Sequence, residues 1–154
     1  MKLLKYALMV LFSAGMMSCG GGGSDDPVDE KKPTGSISSA ATVNAGDNYT
    51  VSFSASDDME LKSYRVQIAF ENAIGMTVKT YQDFSFDSNS DLTDADGNKL
   101  PSIDGKKTAS VSFPVSTRFG ENTVAKKGMY KLTVTLTDAS GKTSDPVTKD
   151  FQIQ

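Results

Sequence analysis

The sequence predicts an all-β domain, a two-layer sandwich of about seven short strands, over residues 34–154. Two observations carry this. Beyond Thr34 the apolar residues recur with a period of two rather than 3.6, and they alternate on one face only. Strands with a single dry face bury it by packing sheet against sheet. The only cysteine of the 154-residue chain is Cys19, so that domain has no disulfide to hold it. Burial alone must do so, and about 120 residues suffice, since a domain of that size buries roughly two thirds of its unfolded surface.

A weak first strand is expected near Ser36 to Ala40. From Asn48 to Ser56, Tyr49, Val51, Phe53 and Ala55 alternate with Thr50, Ser52, Ser54 and Ser56, after a turn at Ala45-Gly46-Asp47. From Leu61 to Phe70, Tyr64, Val66, Ile68 and Phe70 oppose Ser63, Arg65 and Gln67. A turn at Asp57-Asp58 separates these two runs. Met76 to Phe86 alternates less cleanly, because Gln82 interrupts Val78, Phe84 and Phe86, which suits an edge or a bulge. After the polar stretch Asp87 to Lys107, the run Thr108 to Val115 puts Ala109, Val111, Phe113 and Val115 on one side. Pro114 on the other side demands an edge or a strand end. Met129 to Thr137 is the cleanest strand, with Tyr130, Leu132, Val134 and Leu136 alternating with Lys131, Thr133, Thr135 and Thr137. A turn at Asp138 to Lys142 leads to the closing strand, Val147 to Ile153.

Ahead of the domain the chain changes character twice. Lys2 and Lys5 precede an apolar run, Tyr6 to Phe12, and a small residue, Ser18, which together make a cleaved secretory leader over residues 1–18. The run is too short for a membrane span of about 20 residues. Met16-Met17-Ser18-Cys19 resembles the lipobox of bacterial lipoproteins, although that family usually has Leu where Met16 stands. The resemblance implies that the Cys19 thiol takes a diacylglyceryl group and becomes the first residue. Each buried CH₂ adds about 0.8 kcal/mol, so two or three acyl chains anchor permanently. In residues 19–33, Cys19 is followed only by Gly, Ser, Asp, Glu, Lys and Pro with a single Val, too polar to order themselves. They read as a disordered tether, with an r.m.s. reach of about 20 Å. Asp25-Asp26 resembles the acidic export signal of Bacteroidota surface lipoproteins, which implies an outer-membrane protein exposed at the cell surface. A spacer facing the periplasm is the alternative.

Two motifs extend the resemblance. Ser56-Asp57-Asp58-Met59-Glu60-Leu61-Lys62-Ser63-Tyr64, and Gly128-Met129-Tyr130 through Leu136-Thr137-Asp138-Ala139-Ser140-Gly141-Lys142, resemble a Bacteroidota lipoprotein family of uncharacterised function with an Ig-like domain. This implies a Greek-key, Ig-like β-sandwich. Members of that family often carry histidines after the Tyr64-type strand. This chain has none, so no metal chemistry resting on them carries over. In Ig sandwiches a tyrosine opening the penultimate strand hydrogen-bonds back across the corner. Tyr130 holds that place, and either as a corner or as a plain core residue it should be buried.

Composition narrows the function. Without Lys2 and Lys5 the sixteen basic residues fall to fourteen against nineteen acidic, a net charge of −5 that offers nothing to nucleic acid. Histidine is absent, which removes the usual zinc sites and the Ser-His and Cys-His nucleophile pairs. The chain is therefore expected not to be an enzyme. Carboxylates are the one group suited to a ligand, calcium, because hard cations want several oxygens. Asp57, Asp58, Asp91, Asp94, Asp96 and Asp138 are the candidates. If strand directions alternate, their turns and the Asp87 to Lys107 loop gather at the tethered end. No frame of Asp87 to Asn98 fits an EF-hand, since Leu92 falls at its glycine or its first position.

Three functions remain. The first is a membrane-anchored Ig-like module that binds a protein or forms part of an envelope assembly. The second is a calcium-dependent adhesion or stability module. The third is a glycan-binding accessory protein, for which Phe70, Tyr81 and Phe84 would supply stacking faces unless they belong to the core. A partner surface is expected on Glu71 to Gly75 and Ser116 to Lys127, at the end remote from the tether.

Overall fold

The computed structural model describes residues 29–73, 81–82 and 84–154. The expected leader, Cys19, the expected tether as far as residue 28, and residues 76–80 and 83 of the expected Met76 to Phe86 strand lie outside the described residues. All regular structure among the described residues is strand or turn. The strands are β1 (Thr34–Ile37), β2 (Thr42–Val43), β3 (Asn48–Ala73), β4 (Tyr81–Gln82), β5 (Phe86–Asp87), β6 (Lys106–Ser116), β7 (Val124–Ala125), β8 (Gly128–Asp138) and β9 (Val147–Ile153).

Strand β3 organises the fold because it belongs to both layers. Its first part, Asn48 to Ser56, lies between β1 and β6. Its second part, Leu61 to Ala73, lies between β5 and β8. Strand β8 then pairs with β9, and β9 with β2 in parallel. The result is a seven-stranded curled sheet whose two halves face each other as a β-sandwich. The orders β1-β3-β6 and β5-β3-β8-β9-β2 follow the A-B-E and C-F-G pairing of Ig sandwiches. Strands β4 and β7 form a separate parallel pair.

The expected turn at Asp57-Asp58 does not form, because the strand stays extended through it. Residues 57–60 remain in β3, and the register slips between Ser56 and Leu61 where the strand crosses from one layer to the other. A bulge of this kind bends a strand without ending it.

The two faces meet as the alternation requires. Val51, Leu61, Val66, Leu132, Leu136 and Ile153 are fully buried, and β8 alternates buried and half-buried over its whole length. Tyr49 of β3 stacks on Phe151 of β9 at 3.9 Å, and Phe53 meets Tyr64 edge-on at 5.1 Å. Pro114 sits in β6, whose only ladder among the described residues is with β3, so the missing N–H faces no second described strand. Tyr130 is fully buried, and its hydroxyl donates to the Lys126 carbonyl at 2.7 Å, the geometry of a tyrosine corner. The tyrosine clamps the β7–β8 connection to the core.

On the outer face of β3, Arg65 donates from Nε and Nη2 to both oxygens of Asp87, with the Nε contact at 3.0 Å. The fork ties β5 and the loop after it to the sheet, and it holds the Asp87 carboxyl down at about 2. Because the folded pKa lies below the ordinary 3.8, this contribution is complete above about pH 4 and disappears as pH falls toward 2. Both side chains are partly exposed, so Arg65→Ala should cost only about 1 kcal/mol. It should also flatten the pH dependence of urea midpoints between pH 4 and pH 2. An unchanged slope would show that the fork does not hold the loop.

Candidate functional sites at the two ends of the sandwich

Strand directions place one set of polar side chains at each end. The run from Asn48 to Asp57 is about 30 Å long at about 3.3 Å per residue, which is roughly the separation of the ends.

At one end, here the base, the β3 crossing and the β8–β9 turn are joined by the Ala139 N–H donating to the Glu60 carbonyl at 2.8 Å. Gly141, at φ 90°, lets that turn close tightly. The N-terminal segment comes in against both. Lys142 reaches the Asp29 carboxylate at 3.1 Å and also the Asp29 carbonyl, Lys31 pairs with Asp58 at 3.7 Å, and Lys32 with Asp145 at 3.1 Å. Asp29, Asp57 and Asp138 each bring one carboxylate oxygen to a common point, all within 4.8 Å of one another.

In every one of the three, one oxygen is tied and the other is not. Asp57 Oδ2 accepts the Met59 N–H at 3.1 Å. Asp138 Oδ1 accepts the Lys142 N–H and the Ser140 hydroxyl, both at 2.8 Å. Asp29 Oδ1 accepts the Lys31 N–H at 3.2 Å. The other oxygens, Asp29 Oδ2, Asp57 Oδ1 and Asp138 Oδ2, are buried without a hydrogen-bond partner. Asp138 is 1 % exposed and Asp57 9 %. The Lys142 ammonium beside it holds the Asp29 carboxyl below its ordinary value, which favours the ionised form. Ionised carboxylates at this spacing repel by about 3 kcal/mol per pair at an effective dielectric of about 20.

Of the six aspartates expected to share a cation, the structure brings together only Asp57 and Asp138, with Asp29 as the third. Asp58 turns outward to Lys31. The Asp87 to Lys107 loop does not gather at the base; it runs the length of the sandwich. The Ala95 N–H donates to the Pro114 carbonyl near the opposite end, and only Ile103 to Lys107 return to Leu61. Asp94 accepts the N–H groups of Asp96 and Asn98 and so folds its own turn, Asp91 accepts the Asp87 N–H, and Asp96 is exposed. Asp91 and Asp94 thus cap their own backbone, as short acidic loops readily do. Asp29 was hidden in sequence because its neighbours read as solvated tether, and its Lys142 partner lies 113 residues away.

At the opposite end, a cleft of about 250 Å³ is lined by Phe84, Phe86, Asp91, Asp94, Arg118 and Phe119, among others. Phe84 is buried, and Phe119 leans over it at 6.2 Å with 41 % of its surface exposed. Phe70 is half-buried against Tyr130 under the Lys126 ammonium, so it and Phe84 belong to the core rather than to a stacking platform. The side chain of Tyr81 lies outside the described residues. A larger hollow of about 610 Å³ opens on the flank under the Leu92 to Leu100 stretch. Tyr64, whose phenol burial pushes up to about 12, fastens that loop by donating to the Pro101 carbonyl at 2.9 Å.

Comparison with known proteins adds the family. No curated protein matches the chain significantly. Among solved structures it is similar to a mutant of the SrpA adhesin from Streptococcus sanguinis, at 16% identity and a TM-score of 0.47. The similarity covers 82% of this chain and 60% of that one. The model of a family described as "Domain of unknown function (DUF4625)" matches residues 18–153, nearly the whole chain, and the protein therefore belongs to the DUF4625 family.

Proposed function

We propose that the protein is a lipid-anchored envelope module that recognises a partner with the end of its sandwich remote from the anchor. Cys19 would carry the acyl chains, the outer membrane would hold them, and the domain would stand at the cell surface. The observation that carries this reading is the polarity of the domain. The N-terminal segment meets the sandwich at Asp57 and Asp138, whereas Phe119, one of two exposed large apolar side chains among the described residues, stands over the cleft at the other end. A ring half in water beside Arg118, Asp91 and Asp94 suits an interface anchor, because aromatic and arginine side chains contribute most at protein contacts.

Immobilised full-length protein probed with envelope extract and with a glycan array tests the reading. Saturable capture of a protein at micromolar affinity or tighter is expected, with the array blank. A hit confined to the array would replace the protein partner with a glycan, and silence in both would overturn recognition altogether. Labelled palmitate entering the wild type but not Cys19→Ala tests the anchor, and protease shaving of intact cells tests the side of the membrane.

A further inference from the structure

The base cluster has a feature that the recognition reading leaves unused. Asp138 is nine-tenths buried and more, and its Oδ2 has no partner, while Asp57 Oδ1 and Asp29 Oδ2 are orphaned beside it. A buried carboxylate oxygen without a donor is costly, and three at one point are more so. Among the described residues the one cation bridging to the cluster is Lys142, through Asp29, so three carboxylates and one ammonium leave two negative charges uncompensated. A divalent cation cancels them.

The donor set says which kind. All three candidate ligands are oxygens, and the chain has no histidine to draw a softer metal. Calcium–oxygen bonds of about 2.3–2.6 Å accommodate oxygens up to about 5 Å apart, which covers the observed limit of 4.8 Å. Magnesium, at about 2.0–2.1 Å, needs them within about 4.2 Å. The tied oxygens aim the orphans, because the N–H groups of Lys31, Met59 and Lys142 fix each carboxylate's rotation. Water completes the six to eight ligands that calcium takes.

We infer that Asp29, Asp57 and Asp138 form a calcium site that clamps the N-terminal segment to the base of the sandwich. The ion joins the N-terminal segment, otherwise held there mainly by its lysine pairs, to the β3 crossing and the β8–β9 turn. With calcium the last residues before β1 act as a fixed strut, and the domain holds a set angle to whatever carries residue 29. Without it they swing.

The full chain in mild detergent, stripped with EGTA and titrated with calcium or magnesium chloride, tests this. Calcium should raise the thermal midpoint saturably by millimolar concentration, since a ligand of the folded state alone stabilises by mass action, and magnesium should raise it less. Trypsin should cut between Lys31 and Lys32 at least tenfold more slowly with calcium present. Asp29→Asn should abolish that protection and leave the calcium-free midpoint no lower than that of the wild type. Asp138→Asn should abolish the rise in midpoint; if it fails to fold, Asp29→Asn, which lies outside every strand, carries the test alone. Wild type indifferent to calcium, or Asp29→Asn responding as wild type does, would overturn the site. Magnesium matching calcium at equal concentration would overturn its assignment to calcium.

Discussion

Phe151→Ala should destabilise the domain by about 3–5 kcal/mol, the range for emptying a buried aromatic site. Phe151 is 1 % exposed and lies between Tyr49 at 3.9 Å and Tyr130 at 5.6 Å, the first in the opposing layer and the second in the neighbouring strand. Removing the ring therefore opens the contact between layers and withdraws support from the tyrosine corner together. Neither tyrosine can collapse into the gap easily. The Tyr49 hydroxyl donates to the Ala40 carbonyl at 3.0 Å and the Tyr130 hydroxyl to Lys126, which hold both rings in place. At about 3–5 °C per kcal/mol for a domain of this size, the thermal midpoint should fall by about 10–20 °C. A loss below about 1 kcal/mol by urea denaturation would mean that the two layers are not joined there.

Gly35→Ala should cost about 1–3 kcal/mol through overpacking. A Cβ at Gly35 would stand 2.7 Å from the Ser54 carbonyl oxygen and 3.0 Å from Leu136 Cδ1. The first neighbour is backbone, already committed to the β1–β3 ladder in which Ser36 faces Ser54. It cannot give way as a flexible side-chain tip would. The strain should peel β1 from β3, visible as faster amide exchange confined to residues 34–37 and as earlier tryptic cutting at Lys31. Full stability with unchanged exchange would show that β1 does not approach β8 this closely.

These two positions show what was legible in the sequence. Phe151 was readable as core, since Val147, Phe151 and Ile153 close the chain in alternation, and β9 runs over Val147–Ile153 as expected. Strand β8 was equally clear, because its one-sided apolar face is what a half-buried strand needs. Gly35 was not legible, for a glycine's close contacts depend on strands far away in sequence. The same is true of β2, two residues long and held only by parallel pairing with β9. At the base, alternating strand directions placed Asp57 and Asp138 at one end, and the structure does bring those two residues together. Asp91, Asp94 and Asp96 misled by composition, because an acidic loop that caps itself reads like one that holds an ion. Asp29 lay in a segment whose composition signals solvation and whose partners are all distant.

The account rests on recognition at the end of the sandwich remote from residue 29, and a comparison of one variant at each end tests it most directly. Whatever partner the full chain captures should be retained by Asp104→Ala, whose carboxylate pairs with Lys62 at 3.0 Å near the base. Phe119→Asp should weaken capture at least tenfold, since a charge would stand where the exposed ring meets the partner. Equal capture by both variants, or loss with Asp104→Ala alone, would contradict the assignment.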